Sequence, residues 1–324
     1  MTRVAGWRTV QFACNTAMGV QSVTTDLDGY TPKAVILEVI RGTVAGTNAN
    51  HATLGLGISD GTTHRTFSAR AEDNVTFSTD TGGRAWDGGI MEYVNAANNN
   101  AHSVADFDGF ITDGMEIDWT NSNGSAWLAN ATFFYGDDLE ADVSQLTSSA
   151  SISGTVSKTG LSFAPNMLYG WSAERGYPST ASGHNHWRYT QGAAADNEGT
   201  IEQWGLSTQQ RDNLFTGAGG RILRADSIMQ DISLSGTGTP TFNQRVAVDS
   251  FDAAGYTLRT DGVAAAMTGI YLALYVGSNR RTAKTLDLET SVSGTGANKK
   301  FTTTSGGNDW EPQCAHLLGT DVPV

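Results

Sequence analysis

The chain has 324 residues, of which 39% are hydrophobic, 16% are charged and 38 are glycine, and its formal net charge is −13. This composition excludes a membrane-spanning protein and a charge-driven disordered chain, and it favours many short strands joined by tight turns. The negative charge disfavours nucleic acid and anionic lipid as partners, because both bind basic surfaces.

Strand patterns follow one another along the first half of the chain. Residues 34–40 form a β-branched run that follows Pro32, a residue suited to the first position of a strand. Residues 52–59 alternate ahead of a turn at Asp60 and Gly61. Residues 115–119 alternate apolar and polar side chains behind a second Asp-Gly turn. Strands with one buried face indicate antiparallel sheets packed on each other.

The second half of the chain repeats these features in the same order, roughly 133 to 141 residues later. The matched segments are residues 31–37 with 164–169, 73–75 with 212–214, 82–84 with 219–221, 90–91 with 228–229, 110–117 with 251–258, and 131–136 with 271–275. Matches in one order indicate an internal duplication. Residues 200–216 have a helical alternative, but their counterpart in the first copy has the pattern of a strand and a loop, which we therefore predict for them.

These patterns predict an all-β fold of two tandem antiparallel β-sandwich domains, jelly-roll-like and related by duplication, followed by a C-terminal strand segment. The first sandwich repeat is predicted to span residues 1–143 and the second residues 144–280. Residues 281–324 are predicted to form a flexible tail that ends in a partial third-repeat strand.

The end of the chain, over residues 310–318, repeats the form of the two repeat openings, a proline followed by an apolar strand. A lone strand cannot bury its own faces and must pair with an existing sheet. It either completes a sheet of its own chain or joins a neighbouring subunit by strand addition. The residues that we expect to act in assembly are Trp310, Pro312, Leu317 and Leu318.

The two cysteines, Cys14 and Cys314, lie near opposite ends of the chain. Two cysteines cannot form a disulfide framework, so we expect two buried thiols, with a single end-to-end bridge as the alternative. The opening residues lack the charged and then apolar layout of a secretory signal, which leads us to expect synthesis in a cytoplasm.

The tandem pattern resembles structural proteins of tailed-bacteriophage virions, which often carry two or three such copies. The resemblance lies in residues 110–119 with 131–136 and in residues 251–260 with 271–277. The first copy departs from the pattern at Phe133 and Phe134, and the second lacks the closing tryptophan. The resemblance implies a virion protein, made in the cytoplasm of a host bacterium, that assembles with other virion proteins; it implies no particular chemistry.

Two groups of side chains have the residue types of a metal site. His184 and His186 would lie on one face of a strand, a spacing that a metal can use. Asp196 and Glu198 are close enough in sequence to complete such a site. Six acids form a second group of the kind that calcium uses: Asp106, Asp108, Asp113, Asp118, Asp137 and Asp138. Loop histidines without a role and solvated turn acids are commoner than ligands, and calcium-loop motifs are absent, so we predict neither a metal nor a cofactor.

Catalytic motifs are also absent, since the sequence has no nucleophile elbow, phosphate-binding loop or zinc-protease motif. Pairs of carboxylates carry no weight in a chain with 33 acids. The pairs Asp73 with Asn74 and Asp212 with Asn213 occur at the same place in each copy. This repetition favours a turn role, because a catalytic site is rarely duplicated so evenly. We predict that the protein is not an enzyme.

Aromatic residues of the second copy are candidates for binding a glycan, because sugar rings stack on such side chains when polar groups surround them. The candidates are Trp171, Tyr177, Trp187 and Tyr189. The alternative is that most of these rings are ordinary sandwich core. The first copy has only Trp86 and Tyr93 in the corresponding region.

The predicted function is that of a non-enzymatic virion structural protein on the outside of the particle, as a head decoration, head spike or tail fibre. We expect a homo-oligomer, with a trimer favoured, and a host surface glycan as a candidate partner. The alternatives are a carbohydrate-binding adhesin module and a double jelly-roll capsid subunit, which also fits the duplication and the size.

Overall fold

The computed structural model describes residues 5–40, 42–43, 51–72, 81–86, 88–94, 101–173, 182–183, 186–197, 199–211, 218–234, 240–262 and 266–277. Within these residues the regular elements are β-strands, and the strand pairs are antiparallel. The prediction of an all-β antiparallel fold is therefore confirmed. The described part of the chain contains no helix with the length and apolar character of a membrane span.

The first unit forms two sheets. Its strands are β1 Gly6–Ala13, β2 Gly19–Thr24, β3 Ala34–Ile40, β4 His51–Ser59, β5 His64–Glu72, β6 Thr81–Trp86, β7 Met91–Val94, β8 Ala101–Ile111, β9 Gly114–Asn121 and β10 Leu128–Tyr135. The order β1-β10-β3-β4-β5-β6 defines inner sheet 1, and the order β2-β9-β8-β7 defines outer sheet 1.

The second unit also forms two sheets. Its strands are β11 Leu139–Thr147, β12 Thr155–Thr159, β13 Met167–Ala173, β14 Ser182–Gly183, β15 His186–Asn197, β16 Thr200–Arg211, β17 Ala218–Arg224, β18 Met229–Leu234, β19 Pro240–Asp252, β20 Gly255–Gly262 and β21 Thr268–Val276. The order β11-β21-β13-β15-β16-β17 defines inner sheet 2, and β12-β20-β19-β18 defines outer sheet 2. The short β14 pairs with β6 and extends inner sheet 1.

The two units have the same strand order, with β11 to β13 and β15 to β21 in the places of β1 to β10. In each unit the first two strands pair with the last two, which is a jelly-roll-like feature. Equivalent hairpins have a β-bulge at equivalent residues, Asp108 and Asp249. The matched sequence segments that are described also fall on equivalent strands. This is the pattern that a duplication leaves, and the duplication itself stays a prediction.

The strand bounds can be compared with the predicted segments. Strand β11 spans residue 143, the predicted domain boundary, and pairs along its length with β21 of the second unit. Only residues 136–138 connect β10 to β11. Strand β16 confirms the strand predicted at the start of residues 200–216. The predicted tail, residues 281–324, lies outside the described residues.

Each unit has an apolar core between its inner and outer sheets. The first core includes Val35, Leu37, Met115, Ile117, Trp119 and Phe133, and the second includes Leu168, Val246, Val248, Leu258 and Tyr271. Cys14 is buried in the first core, with Sγ 3.9 Å from the sulfur of Met91. Because each sandwich buries one face of both of its sheets, the outer sheets keep one face for solvent.

A third core joins the two inner sheets back to back. It includes Ile36, Leu56, Ile58 and Phe134 from inner sheet 1 and Leu139, Trp171, Leu272 and Leu274 from inner sheet 2. The inner strands have apolar side chains at consecutive positions, as in residues 34–37 and 270–274, because both of their faces are covered. The molecule is therefore a stack of four layers in the order outer sheet 1, inner sheet 1, inner sheet 2, outer sheet 2.

The two ends of this stack differ in the length of their connections. At the terminus end, turns as short as residues 60–63, 112–113 and 253–254 join the strands. Here the carboxylate of Asp138 accepts a hydrogen bond from Ala5 N, and its carbonyl accepts one from Gly277 N at 3.0 Å. At the opposite, loop end, longer connections lead from β3 to β4, from β5 to β6 and from β7 to β8, with equivalents in the second unit.

The loop ends of both units lie on the same side of the molecule. Val143 N of β11 donates a 2.7 Å hydrogen bond to Asp60 Oδ2, which brings the terminus ends of the two units together. Strand β14 belongs to the connection between β13 and β15 at the loop end of the second unit, and it pairs with Gly82 and Gly83 where β6 begins. The molecule therefore has both ends of the described chain at one end and most of its longer connections at the other, although residues 25–33, which join β2 to β3, lie at the terminus end.

Candidate functional site

Two of the four aromatic residues predicted to bind a glycan lie in the core. Trp171 and Tyr189 are 4% and 6% exposed and pack between the two inner sheets. The ring of Trp171 stacks on Tyr169, and that of Tyr189 stacks on Phe67, with centroids 5.9 Å and 5.6 Å apart. Rings buried this completely offer no surface to a sugar, so these two side chains have the packing role that was the alternative. Tyr177 and the side chain of Trp187 lie outside the described residues.

Several other predicted residues are also beyond the described part of the chain. They are His184, Glu198, Trp310, Pro312, Cys314, Leu317 and Leu318. His186 begins β15, and its side chain is not among those described. Asp196 accepts a 2.7 Å hydrogen bond from Gly199 N and so closes the turn between β15 and β16. Within the described ranges, no group of three or more His, Cys, Asp or Glu side chains is placed to hold a metal ion.

The acids predicted as a cluster serve partly in turns. Asp113 Oδ1 accepts hydrogen bonds from the backbone nitrogens of Leu27 and Gly29, each at 2.9 Å. Its own φ is 63°, a left-handed conformation that aspartate tolerates better than most residues. Asp137 accepts a 3.3 Å hydrogen bond from the Tyr30 hydroxyl. These contacts hold the terminus end of the first unit together.

Asp106 and Asp118 lie directly opposite each other on β8 and β9 of outer sheet 1. The pKa of Asp106 is raised above its ordinary value. Burial is the largest cause; the charge of nearby His64 opposes the shift, and the charge of Asp118 adds to it. Facing carboxylates repel, so this pair destabilises the ionised sheet. The equivalent residues of the second unit are Ala247 and Arg259, which do not repel each other.

A chain of ion pairs lies along outer sheet 2 and extends through Asp226 to Arg224, at the end of β17 in inner sheet 2. Its members are Arg224, Asp226, Arg245, Asp261, Arg259 and Asp249. Hydrogen bonding from Arg224 lowers the pKa of Asp226 and raises that of Arg224 itself. Because each of these charges faces an opposite one, we assign the chain a structural role on the surface of the sheet.

Three buried positions toward the loop end are apolar in the first unit and polar in the second, although the first unit also buries Glu92 and Ser103 near this end. The equivalent pairs are Cys14 and Ser148, Val39 and Ser172, and Trp119 and Thr260, all of them buried. The backbone gives the first equivalence directly: Cys14 N donates to Trp127 O at 2.8 Å, and Ser148 N donates to Met267 O at 2.9 Å. At these three positions the same fold therefore has an apolar side chain in one unit and a hydroxyl group in the other.

A cluster of larger polar side chains lies at this end of the second unit. Arg188 Nη1 lies 2.8 Å from Asp231 Oδ1, and the two side chains are 15% and 3% exposed. Asn243 Nδ2 donates a hydrogen bond to Asp231 Oδ2 at 3.2 Å. Ser233 Oγ in turn donates to Asn243 Oδ1 at 3.2 Å. The carboxylate of Asp231 is thus held between a guanidinium and an amide.

Two polar atoms of this cluster have no hydrogen-bond partner among the described residues. They are Arg188 Nε, a donor, and Gln209 Oε1, an acceptor. Arg188 and Gln209 lie directly opposite each other on β15 and β16, and Gln209 is 4% exposed. Buried polar groups without partners cost free energy, and other described residues such as Ser68 and Tyr271 also carry them. The two atoms here belong to neighbouring residues beside a buried ion pair, which makes this cluster the candidate site.

The polar cluster was not predicted from the sequence, because similarity between the two copies does not indicate the positions at which they differ. The signal was available in their differences, since the second copy has polar Ser172 and Thr260 at the positions equivalent to apolar Val39 and Trp119. Comparison with known proteins adds no relative: no family model matches the chain, and no curated protein matches it.

Proposed function

We propose that the protein is a non-enzymatic structural component on the outside of a tailed-bacteriophage virion, of the head-decoration, head-spike or tail-fibre type. One observation carries this proposal: both ends of the described chain meet at Asp138, opposite the end with the long connections. A subunit attached to a particle through its termini holds its loop end away from that particle. The resemblance of the repeats to tailed-phage virion proteins supports the same role.

The four-layer stack supports a geometric role. The third core fixes one sandwich on the other through fully buried side chains such as Ile58, Leu272 and Leu274. Close-packed interiors of this kind have low compressibility and resist deformation. The two units would therefore present their loop ends as one rigid surface to a host cell.

Attachment would use the chain that continues beyond the terminus end. Residues 278–324 follow Gly277 and include the assembly residues predicted from the sequence. An acceptor is available in β2, an edge strand without charged residues that reaches the terminus end at Thr24, beside the turn at residues 112–113. Such an edge can take up a further strand. The equivalent edge β12 has Lys158, whose ion pair with Asp142 spans 3.4 Å.

The mass of the purified protein tests the assembly. Light scattering coupled to size exclusion is expected to give a stable trimer, three times 34.3 kDa, as in spikes and fibres. Deletion of residues 278–324 is expected to give a folded monomer, because the described body ends at Gly277. A trimer that survives the deletion would contradict strand addition. A wild-type monomer would instead favour a decoration or a capsid shell subunit.

Particle incorporation tests the virion role itself. The full chain is expected to sediment with purified virions in a density gradient, and the truncated chain is expected to stay in the soluble fraction. Full-length protein that is absent from virions would overturn the proposal. Cleavage of a host surface polysaccharide by the purified protein would contradict its non-enzymatic part.

A second candidate, a carbohydrate-binding adhesin module, is favoured by one observation, the buried polar cluster around Arg188, Gln209 and Asp231. Binding a glycan is compatible with a place on the virion, so the two candidates can describe the same molecule.

A further inference from the structure

We propose that β2 of outer sheet 1 accepts the apolar segment 310–318 of a neighbouring copy as an additional, antiparallel strand. The inference rests on the proposed homo-oligomer, and it names the acceptor edge and the direction of the incoming strand. The equivalent edge of the second unit, β12, does not take part, so each copy donates one strand and accepts one. Contacts of this heterologous kind close into a ring when the rotation allows it, which fits the expected trimer.

The composition of β2 sets it apart from the other edge strands that the structure describes. Each of the others longer than two residues has a charged residue, namely Arg8 in β1, Glu92 in β7, Glu140 in β11, Lys158 in β12, Arg221 in β17 and Asp231 in β18. Natural proteins use charged residues on edge strands to oppose pairing with a further strand. Strand β2, with the sequence Gly-Val-Gln-Ser-Val-Thr, has none and is therefore the edge best suited to accept one.

The backbone of β2 directs hydrogen-bonding groups toward the open edge of its sheet. Thr25 N donates to Asp113 O at 2.9 Å, and such hydrogen-bonded pairs occur at every second residue of an antiparallel ladder. Val20, Ser22 and Thr24 therefore direct their N–H and C=O groups away from β9. All three residues are exposed, so an incoming strand can reach these groups.

The loop end of this edge is also apolar and exposed. Met18, directly before β2, is 72% exposed, and Val20 is 55% exposed. A segment that enters at Thr24, at the terminus end, runs antiparallel to β2 and brings Leu317 and Leu318 toward the loop end. Covering the two exposed side chains removes apolar surface from water, which favours association.

The charge of outer sheet 1 is opposite to that of the chain preceding the segment. Strands β2, β7, β8 and β9 contain five acidic residues and no lysine or arginine. Residues 278–300 contain five lysines and arginines and two acids, which gives a net charge of +3. The strands of outer sheet 2 contain three lysines and arginines beside four acids. Opposite charges steer association, so the basic residues favour outer sheet 1 over outer sheet 2.

The length of the intervening chain allows the segment to reach a neighbour. Residues 278–309, 32 in number, separate Gly277 from the segment. A chain of that length spans about 100 Å when extended. Stacked sheets lie about 10 Å apart, so the four-layer body is about 40 Å thick. The segment can therefore cross to the outer sheet of an adjacent copy.

Proline substitution in the full chain tests the acceptor edge. Ser22→Pro removes an N–H that faces the open edge, a position at which a strand tolerates proline because no ladder hydrogen bond is lost. Light scattering is expected to give a monomer, one third of the mass of the wild-type trimer. Ser157→Pro is the matched control, because Ser157 is the equivalent of Ser22 on β12 and each hydroxyl bonds one side chain on the neighbouring strand. The control is expected to keep the wild-type mass.

A second substitution tests the same contact without proline. Val20→Lys gives β2 the charge that the other edge strands have, and it is also expected to give a monomer. Thr155→Lys, at the equivalent position of β12, is its control and is expected to stay trimeric. Melting temperatures of all four variants show that the body is folded.

The contrary results are distinct. Ser22→Pro and Val20→Lys proteins with the wild-type mass would overturn β2 as the acceptor, whereas the deletion of residues 278–324 reports separately on assembly through the tail. Dissociation of both controls would show that the effect is not specific to β2 and would overturn the proposal as well. An oligomer that needs β2 but survives the deletion would mean that two β2 edges pair with each other, and the tail would be the wrong occupant. A wild-type monomer would overturn strand addition between copies.

Discussion

At the scale of single residues, steric contacts explain why residues 110–114 and 251–255, which share the pattern Phe-x-x-x-Gly, both end in glycine. A Cβ atom on Gly114 would lie 2.1 Å from Val23 O, and one on Gly255 would lie 1.9 Å from Lys158 O. The carbonyls belong to β2 and β12, the edge strands that pair with these hairpins. Glycine is therefore needed at this position in each unit, because the hairpin and the edge strand approach too closely to leave room for a side chain.

Alanine at either glycine is expected to destabilise the protein. Gly114→Ala and Gly255→Ala force the edge strand away from its hairpin, so we expect each to lower the free energy of unfolding by about 1–3 kcal/mol. Urea denaturation measures the change. Gly109 on the first hairpin is the matched control, because a Cβ there meets no atom within 4 Å. Equal losses at Gly109 and Gly114 would show that the close approach is not the cause.

At the scale of elements, equivalent hairpins differ in their surface charge. Asp106 faces Asp118 across β8 and β9, whereas Ala247 faces Arg259 across β19 and β20. Arg259 also contacts Asp249, with Nη1 2.7 Å from Oδ1. The same arrangement of strands thus has repelling acids in one unit and ion pairs in the other, so the fold does not dictate the charges on this face.

Removing one of the facing acids is expected to stabilise the protein in a pH-dependent way. Asp118→Asn removes the repulsion, so the free energy of unfolding should rise by about 0.2–1 kcal/mol at neutral pH. Burial raises the pKa of Asp106 above its ordinary value of 3.8, so the folded wild type takes up a proton there more readily than the unfolded chain. The free energy of unfolding of the wild type therefore falls as the pH rises through the raised pKa of Asp106, because the carboxylate becomes charged. When the pH falls through that pKa, Asp106 is neutralised and the advantage of Asp118→Asn over the wild type should shrink.

Unfolding of both proteins in urea from pH 7 to pH 4 measures this difference. Asp108→Asn is the control, because Asp108 is the exposed residue of the bulge and faces no carboxylate in the register. A gain for Asp118→Asn that does not change with pH would contradict the assigned role of Asp106.

The elements also show which parts of the fold the sequence could predict. Outer strands such as β9 have one solvent face, so the alternation in residues 115–119 predicted them correctly. Inner strands such as β3 and β21 are covered on both faces, and their consecutive apolar residues carry no sign of which sheet covers the second face. The polar cluster was not predicted for a related reason. Arg188 and Gln209 are residue types that usually lie on the exposed face of a strand, and the sequence does not show that Gln209 is buried.

At the scale of the whole molecule, the third core makes the two units mutually dependent. Leu56, Ile58 and Phe67 of inner sheet 1 and Leu272 and Leu274 of inner sheet 2 are all buried there. A separated unit would expose this face to water, and an apolar surface of that extent is unfavourable on a free monomer. The tandem repeat is therefore expected to unfold as one cooperative body, although each sandwich has its own core.

Two leucine substitutions test this cooperativity. Leu272→Ala opens the core between the units, Leu258→Ala opens the core within the second unit, and each is expected to lower the free energy of unfolding by about 2–5 kcal/mol. Because the third core couples the units, scanning calorimetry should show one transition that shifts in both variants. If the units unfolded independently, Leu258→Ala would shift one of two transitions and leave that of the first unit in place. That result would mean that the contact between the inner sheets is too weak to fix the orientation of the two units. It would also contradict the proposal that their loop ends form one rigid surface.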